Sequence, residues 1–458
     1  MAADGAIAPP LNQREIKMKR LALLLCAGLL AICIILPSVA GARPAASVKF
    51  SIIREENPNM AENKLVLPYA FPSESMGTTV GVGGFAKGYL QDQLIFAGSV
   101  FASVDDAKGV VGGFWDYLLP FSKRLYFSAY GAISYLPRNR AYTEVPRFSS
   151  DFDSTVAGSN GSDKDDYIEN DGTDNWYGLK LEYVLPIGSM KNEHRGRYKL
   201  KNGILQSGAT GGDKWNPLET GVSVLLLGQS GRYQDFRTDA VTYSGDSYPF
   251  EIGYLYNNTD FATNPSYGSL QYLAYSRSFN KGNTGEWDFL EFEASKFFNL
   301  GASRFSRQRV LALNFWTGSS LSWNETIDEN GDVVTENKPP YLDGARLGGW
   351  YRMKGFPNNR FNDRSVIYGA AEYRYTLDWN PVAGVNWLRW LHLDWFQLVP
   401  FVEVGRVAPD YDLGELFSDL KFDGGIGLRA MTAGAVVRFD TAFSEEGTNF
   451  WVMFQHPF

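Results

Sequence analysis

The side chains that could catalyse a reaction are few and scattered in this sequence. It has three histidines, His194, His392 and His456, and none stands in a recognisable arrangement with a serine and a carboxylate. Both cysteines, Cys26 and Cys33, fall in an apolar segment near the N-terminus, so the processed chain is expected to lack thiol chemistry and thiolate metal sites. We therefore expect no enzymatic activity and no cofactor.

A run of carboxylates between residues 149 and 175 is a candidate calcium site. It holds eight Asp and Glu residues against one lysine, but it lacks the glycine turn and the final bidentate Glu of an EF-hand loop. Because Gly and Ser are abundant there and apolar residues are scarce, the composition favours a solvated surface loop. No metal site is predicted.

The N-terminus has the order of a secretory signal peptide. Basic residues at positions 17, 19 and 20 precede an apolar run over residues 21–36, and small residues follow it. The run is shorter than the ~20 residues that a membrane-spanning helix needs. We assign residues 1–42 to a signal peptide, with an upstream extension before Met18, and residues 43–76 to a short periplasmic leader. Processing moves the net charge from −8 to about −10, which disfavours nucleic acid as a partner.

The processed chain has no second long apolar run, yet it is rich in glycine (47) and tyrosine (25). About sixteen segments alternate apolar and polar residues between turn residues. Such a chain can span a membrane only with strands that close into a ring. Residues 77–458 are therefore predicted to form an all-β, transmembrane antiparallel barrel in the bacterial outer membrane, in contact with its lipids. A soluble β-sandwich also alternates, but the secretory signal favours the barrel.

The joint between the first and last strands is expected to be the weakest in the ring. The first predicted strand, Thr78–Phe85, contains Gly81, Gly83 and Gly84, and glycine weakens strand pairing. The last predicted strand, Phe450–Phe458, alternates aromatic residues and ends in Phe458, after a polar-x-Gly447-x-x-Phe450 pattern typical of barrel assembly signals. Alternatively, the glycines only allow the barrel to bend.

Several motifs, in order, resemble the BamA/TamA outer-membrane superfamily (bacterial surface antigen family). Arg352-Met353-Lys354-Gly355-Phe356 is similar to the apolar-Arg-Gly-aromatic motif that members carry on a loop folded back into the barrel. Later segments resemble the strands that follow it: Glu372-Tyr373-Arg374, Phe401-Val402-Glu403-Val404-Gly405, Gly425-Ile426-Gly427 and Val437-Arg438-Phe439-Asp440. The resemblance covers nearly all of the processed chain and implies a barrel with a lumen-inserted loop.

The resemblance implies that the loop cation pairs with a carboxylate on the barrel wall, and we expect Lys354 to pair with Glu403. Gly355 would permit the tight turn and Phe356 would pack beside it. Lysine replaces the family's arginine and glutamate its aspartate, so bidentate pairing is lost. The alternative is that Lys354 is a solvated loop residue. The leader of about 35 residues leaves no room for the POTRA domains of the assembly factors, so the chain resembles a short, barrel-only branch.

Two functions remain open at this point. The chain could assist insertion or translocation of polypeptide or lipid through a weak seam between its first and last strands, with protein clients or assembly machinery as partners. Alternatively, it could be a passive pore or surface antigen without insertase activity, which the missing POTRA domains favour.

Overall fold

The fold is almost entirely β-structure. A computed structural model describes residues 48–55, 63–73, 76–143, 156–237, 242–244, 246–279, 285–327, 333–382 and 384–458. Its strands are β1 (Phe50–Arg54), β2 (Asn63–Ser73), β3 (Gly77–Lys87), β4 (Ile95–Ser103), β5 (Lys108–Leu118), β6 (Leu125–Ala141), β7 (Ile168–Val184), β8 (Gly196–Lys201), β9 (Ile204–Ser207), β10 (Val222–Arg237), β11 (Thr242–Ser244), β12 (Phe250–Asn257), β13 (Gly268–Ser278), β14 (Trp287–Asn299), β15 (Ser306–Ser319), β16 (Asn324–Ile327), β17 (Val333–Glu336), β18 (Ala345–Leu347), β19 (Phe361–Asp363), β20 (Ser365–Leu377), β21 (Leu393–Ala408), β22 (Lys421–Thr432), β23 (Ala435–Ser444) and β24 (Gly447–Phe454). The helical turns are the α-helix Leu413–Leu416 and the 3₁₀ turns Gly188–Met190 and Asn386–Leu391.

Sixteen of these strands form one antiparallel sheet that closes into a barrel. In chain order they are β2 to β7, β10, β12 to β15 and β20 to β24, each paired with the next; β11 only extends the pairing of β10. The predicted all-β antiparallel barrel of about sixteen strands is therefore confirmed. The predicted signal peptide lies outside the described residues.

Alternation of side chains gives the barrel an apolar outer surface and a polar, packed lumen. On β7, Leu179, Leu181 and Tyr183 are exposed on the outside, whereas Trp176 and Glu182 are buried inside. The same period of two repeats along the sheet, because successive side chains of a strand point to opposite faces. Within the described ranges, no helix is long and apolar enough to cross a membrane.

The predicted strand Thr78–Phe85 is present within β3, but its predicted position as the first strand of the barrel is wrong. The barrel begins at β2, Asn63–Ser73, inside the segment that was assigned to the leader, and the glycine-rich β3 is its second strand. Gly81, Gly83 and Gly84 therefore lie one strand away from the barrel's start. Pro68 lies within this strand, and because proline lacks the N–H group that a central strand donates, the segment does not show the usual pattern of a paired strand.

The glycines of β3 make room for side chains of β2. Tyr69 is the register partner of Gly81, and a Cβ atom added at Gly81 would lie 2.3 Å from the Tyr69 ring. The Tyr69 hydroxyl is 2.7 Å from the Ser99 hydroxyl on β4. The tyrosine thus crosses the glycine to reach the third strand, and it ties three strands together.

Substituting this glycine is expected to destabilise the barrel. In Gly81→Ala, the new methyl group would displace the Tyr69 ring and strain or break the contact with Ser99, at a cost of about 1–3 kcal/mol. The control is Gly369→Ala on β20, where the nearest side-chain atom would lie at 3.6 Å, an ordinary contact distance. Urea unfolding of the detergent-solubilised barrel measures both. Equal midpoints for the two variants would contradict this role of Gly81.

Ala345–Arg352, one of the sixteen segments that the sequence predicts as barrel strands, is not part of the barrel. Only Ala345–Leu347 is extended, as β18, and it pairs with β19 inside the long loop between β15 and β20. Gly348 and Gly349 end it because both adopt a φ of +105°, which strands do not use. The carboxylate-rich segment also differs from the predicted loop, since its final part belongs to β7 from Ile168 onward.

The two ends of the barrel carry different structures. We call the end at which β2 begins and β24 ends the terminal mouth, and the opposite end the loop mouth. The loop mouth carries the connection 320–364 between β15 and β20, which we call the lumen loop. The terminal mouth carries the connection 185–221 between β7 and β10, where β8 and β9 form a three-stranded sheet with β1.

Candidate functional site: the lumen loop and its anchors

The lumen loop folds back into the barrel and packs against its wall. Met353, Phe356 and Phe361 are completely buried in one apolar cluster with wall residues such as Trp316 and Val366. The Phe356 and Phe361 rings meet edge to face with centroids 5.1 Å apart. Burial of such side chains stabilises each by roughly 1.5–3 kcal/mol, so the loop position is well determined.

At the tip of this loop, Lys354 forms the expected ion pair with Glu403 of β21. The Lys354 ammonium is 2.7 Å from one Glu403 carboxylate oxygen, and the Lys354 backbone N–H donates to the other at 2.8 Å. Both side chains are fully buried. The Tyr368 hydroxyl also donates to Glu403, and the ammonium lies 4.1 Å from the Phe401 ring centroid. The backbone contact supplies the second hydrogen bond that an arginine fork would have given.

Gly355 is required because the backbone approaches three strands closely. Its N–H donates to Asp423 at 2.9 Å, and its carbonyl accepts from Ser444 at 2.7 Å and from Asn449 at 2.8 Å. An added Cβ atom would lie 2.6 Å from the Cβ of Asp423. Gly355 was expected to permit the tight turn, but the positive φ in this turn belongs to Met353, at +57°. The role of Gly355 is instead to allow the close packing of the backbone against the wall.

The remaining predicted residues surround this contact. A Cβ atom at Gly405 would lie 2.8 Å from Leu347, so this glycine leaves space for the loop. Arg438 pairs with Asp440 on β23 and donates at 2.6 Å to the carbonyl of Trp350. The structure therefore brings all the predicted loop, wall and closing-strand residues into one site.

Arg352 holds the loop to strands β14 and β15. Its guanidinium stacks 3.7 Å from the Trp316 ring centroid and donates to Glu293 at 3.2 Å. Stacking over tryptophan is a favourable position for a guanidinium. The loop is thus also anchored to the wall two to three strands away from β21, which carries Glu403.

Arg360 ties the base of the lumen loop to another loop of the loop mouth, and sequence reasoning missed it. Its fully buried guanidinium pairs with Glu446 at 2.9 Å and donates to the hydroxyl of Ser162 at 2.8 Å. Burial raises the pKa of the Glu446 carboxyl above its ordinary value, although Arg360 acts in the opposite direction. The loop mouth is therefore closed by several connections packed on one another.

A second buried charge cluster lies nearer the terminal mouth. Arg429 of β22 pairs with Glu372 at 2.5 Å, and Arg374 pairs with the same carboxylate at 2.9 Å. Arg429 also lies 2.6 Å from Nδ1 of His456, whose Nε2 is 3.1 Å from Asn264. The sequence signal was the Glu372-Tyr373-Arg374 motif, but the histidine partner comes from a distant segment that no local pattern connects to it.

The predicted terminal strand is wrong in its last four residues. β24 ends at Phe454, and Gln455 turns the chain with a φ of +66°. Phe458 then lies buried beside Phe297, with ring centroids 6.5 Å apart, whereas Phe450 is exposed on the outside. Phe450 and Phe458 therefore do not share one face of a strand, because the turn breaks the period of two.

The contacts of the site hold a loop in place. Among the described residues, no group of three His, Cys, Asp or Glu side chains is arranged to hold a metal ion. Its charges are buried in pairs, so they neutralise each other and position the backbone.

Comparison with solved structures identifies the fold. No family model and no curated protein sequence matches this chain. CdiB from Escherichia coli aligns with a TM-score of 0.50 and 12% identity over 86% of this chain and 61% of its own. BamA from Haemophilus ducreyi lacking POTRA domains 1–3 aligns with a TM-score of 0.43 and 12% identity, over 86% of this chain and 68% of its own. CdiB from Acinetobacter baumannii aligns with a TM-score of 0.45 and 11% identity, over 86% of this chain and 58% of its own. The chain has a barrel fold similar to that of CdiB from Escherichia coli.

This chain spans about three fifths of the length of the CdiB structures and about two thirds of the BamA structure. At 11–12% identity, the likeness concerns the path of the backbone. The lumen loop and its anchors must therefore be interpreted from this chain's own contacts.

Proposed function

We propose that this chain is a bacterial outer-membrane barrel that assists the insertion or passage of polypeptide at its seam, the edge between β24 and β2. The outer surface supports a membrane location. Large apolar side chains are exposed on outward positions around the sheet, as with Val82 on β3, Leu227 on β10 and Phe422 on β22. A soluble protein exposes few contiguous apolar surfaces of this extent, whereas lipid favours them.

The observation that carries the proposal is the pair of prolines in β2, the strand that borders the seam. Successive barrel strands are joined by ladders of eight or more register partners, as in the pairing of β2 with β3 and of β23 with β24. Pro68 and Pro72 lack N–H groups, and both lie on the same edge of β2, because they are an even number of residues apart.

The side of β2 on which these prolines leave N–H groups missing supports the same conclusion. All eleven residues of β2 keep their register with β3 without a break. We infer that the missing donors face the seam, where proline is tolerated. An edge with fewer donors holds the last strand less firmly, and a free strand edge can pair with an incoming strand.

A passive pore is less well supported, because both mouths are obstructed. The tip of the lumen loop, with Met353, Lys354 and Phe356, is buried at the loop mouth, and Lys49 and Ile52 are buried at the terminal mouth. A surface antigen without insertase activity would not need a weak seam, so the prolines at the seam favour the insertion function.

Locking the seam tests the proposal. Cysteine pairs scanned between residues 64–70 and 447–454 should include one that forms a disulfide, and oxidation of that pair is expected to abolish insertion of a reporter barrel into vesicles containing this protein. The matched control is a Val80→Cys/Ala102→Cys pair, since these residues are register partners on β3 and β4. If the oxidised seam pair inserts the reporter as fast as the control, the seam is not the route.

A further inference from the structure

The segment before the barrel lies across the terminal mouth as a bound strand. β1 pairs in parallel with β8 over five register partners, from Phe50 with Gly196 to Arg54 with Leu200. Hydrogen bonds extend the ladder at both ends: the Gly196 N–H donates to the Lys49 carbonyl at 2.7 Å, and the Glu55 N–H donates to the Leu200 carbonyl at 2.9 Å. The backbone of the segment is therefore recognised over its whole length.

Its basic side chains enter acidic sites on the barrel wall. The Lys49 ammonium is buried and lies 2.6 Å from both Asp116 of β5 and Glu182 of β7. At the other end, the Arg54 guanidinium donates to Asp394 of β21 at 3.1 Å, with a second contact of 3.0 Å. These two sites lie on opposite parts of the wall, since β5 and β7 belong to the first half of the sheet and β21 to the second.

Between the two cations, an apolar side chain fills a separate slot. Ile52 is buried against Tyr198, Phe261 and Trp395, in a cluster that also includes Met431 and Val436. Phe50 packs at the edge of the same cluster, and the Lys87 ammonium lies 3.7 Å from its ring centroid. In the bound segment, two residues therefore separate the first cation, Lys49, from the buried apolar residue Ile52, and one residue separates Ile52 from the second cation, Arg54.

We propose that the terminal mouth is a binding site for an extended polypeptide strand with this basic-and-apolar pattern, occupied in this structure by the chain's own residues 48–55. Main-chain hydrogen bonds to β8 supply affinity, and the acidic and apolar sites supply specificity, as in other recognition by strand addition. The receptor groups belong to the barrel strands, to the connection 185–221 and, for Phe261, to the connection between β12 and β13. None of them lies in the segment 48–55, so we expect the site to persist when the segment leaves.

The short connection between the bound segment 48–55 and β2 makes it harder for a second strand to bind at the terminal mouth. Only residues 56–62 separate the bound segment from β2, which borders the seam. A strand arriving in trans must compete with a tethered one, whose effective concentration is in the millimolar range for a short linker. Only a segment that satisfies both acidic sites would displace it. That a displacing strand belongs to an inserted polypeptide rests on the proposed function, whereas the binding site itself does not.

The experiment uses the full chain with a protease recognition sequence placed within residues 56–62, cut after the barrel has folded. Substitutions Ser51→Cys and Arg197→Cys, at register partners, allow the segment to be locked by oxidation and freed by reduction. The probe is a fluorescent synthetic peptide with the sequence of residues 48–55. The control peptide carries glutamate in place of Lys49 and Arg54.

We expect the cut, reduced protein to release its segment on dilution and to bind the probe at least tenfold more tightly than the control peptide. The oxidised protein should bind neither. Asp116→Asn with Glu182→Gln should weaken the probe at least tenfold without unfolding the barrel, as judged by heat-modifiable mobility in gels.

Two results would overturn the proposal. If the reduced protein keeps its segment and binds no peptide, β1 is a permanent part of the wall. If both peptides bind equally, the mouth has no site for this pattern. Because binding is measured in detergent without a reporter barrel, it is independent of the insertion assay, and a failed insertion assay would leave the binding result intact.

Discussion

Lys354→Met is expected to destabilise the folded barrel by about 3–5 kcal/mol, because it leaves the Glu403 carboxylate buried without its counter-ion. Both members of the pair are inaccessible to solvent, so water cannot replace the lost ammonium. The Tyr368 hydroxyl and the Lys354 backbone N–H would remain as donors to Glu403, but neither carries a charge. Urea unfolding in detergent, followed by tryptophan fluorescence, measures the loss.

A surface lysine provides the matched control for this prediction. Lys421 pairs with Glu445 at 2.8 Å, but the Glu445 side chain is 62% exposed. Lys421→Met is therefore expected to cost less than about 1 kcal/mol. The double variant Lys354→Met/Glu403→Gln should recover part of the loss, since no uncompensated charge remains. Equal losses for Lys354→Met and Lys421→Met would show that the buried pair does not anchor the loop.

Removing the tip of the lumen loop is expected to turn a nearly closed barrel into a conducting one. Deletion of residues 350–363, with two glycines joining the ends, removes the buried tip together with its anchors Lys354 and Arg360. Single-channel conductance in planar bilayers should rise severalfold, because the volume occupied by the loop becomes accessible to ions. The terminal mouth keeps its own cover, so the rise should be larger when the segment 48–55 has been released.

A variant with an unbroken chain guards against misfolding of the deletion. Lys354→Met/Glu403→Gln loosens the loop without shortening it, and it should give intermittent openings in place of a steady current. Heat-modifiable mobility on gels checks that each barrel has folded. Unchanged conductance in both variants would place the resistance to ions elsewhere in the lumen.

The alternation of side chains made the barrel predictable, and local exceptions to it caused the errors. The count of sixteen strands was right because two mistakes compensated: β2 was missed and Ala345–Arg352 was added. β2 contains Pro68, which breaks the sequence pattern of a paired strand. In Ala345–Arg352 the pattern is present, but Gly348 and Gly349 turn the chain.

The site was predictable where family resemblance supplied the partner, as for Lys354 and Glu403. The contacts of His456 with Asn264 and of Arg360 with Ser162 could not be predicted, because they join segments 192 and 198 residues apart in the sequence. The strand β1 was missed for a related reason. It has five residues, and its parallel partner β8 lies more than 140 positions later in the sequence, so neither strand shows its pairing locally.

The distance along the sequence between the lumen loop and its anchors also bears on the order of folding. Lys354 is separated along the sequence by 49 residues from its partner Glu403 and by 97 residues from Trp451. Arg54 is separated by 340 residues from its partner Asp394. Shorter chain separations cost less entropy to close, so they form earlier. We therefore expect the C-terminal strands to pack on the lumen loop early in folding. The segment 48–55, which contains Arg54, is expected to bind last.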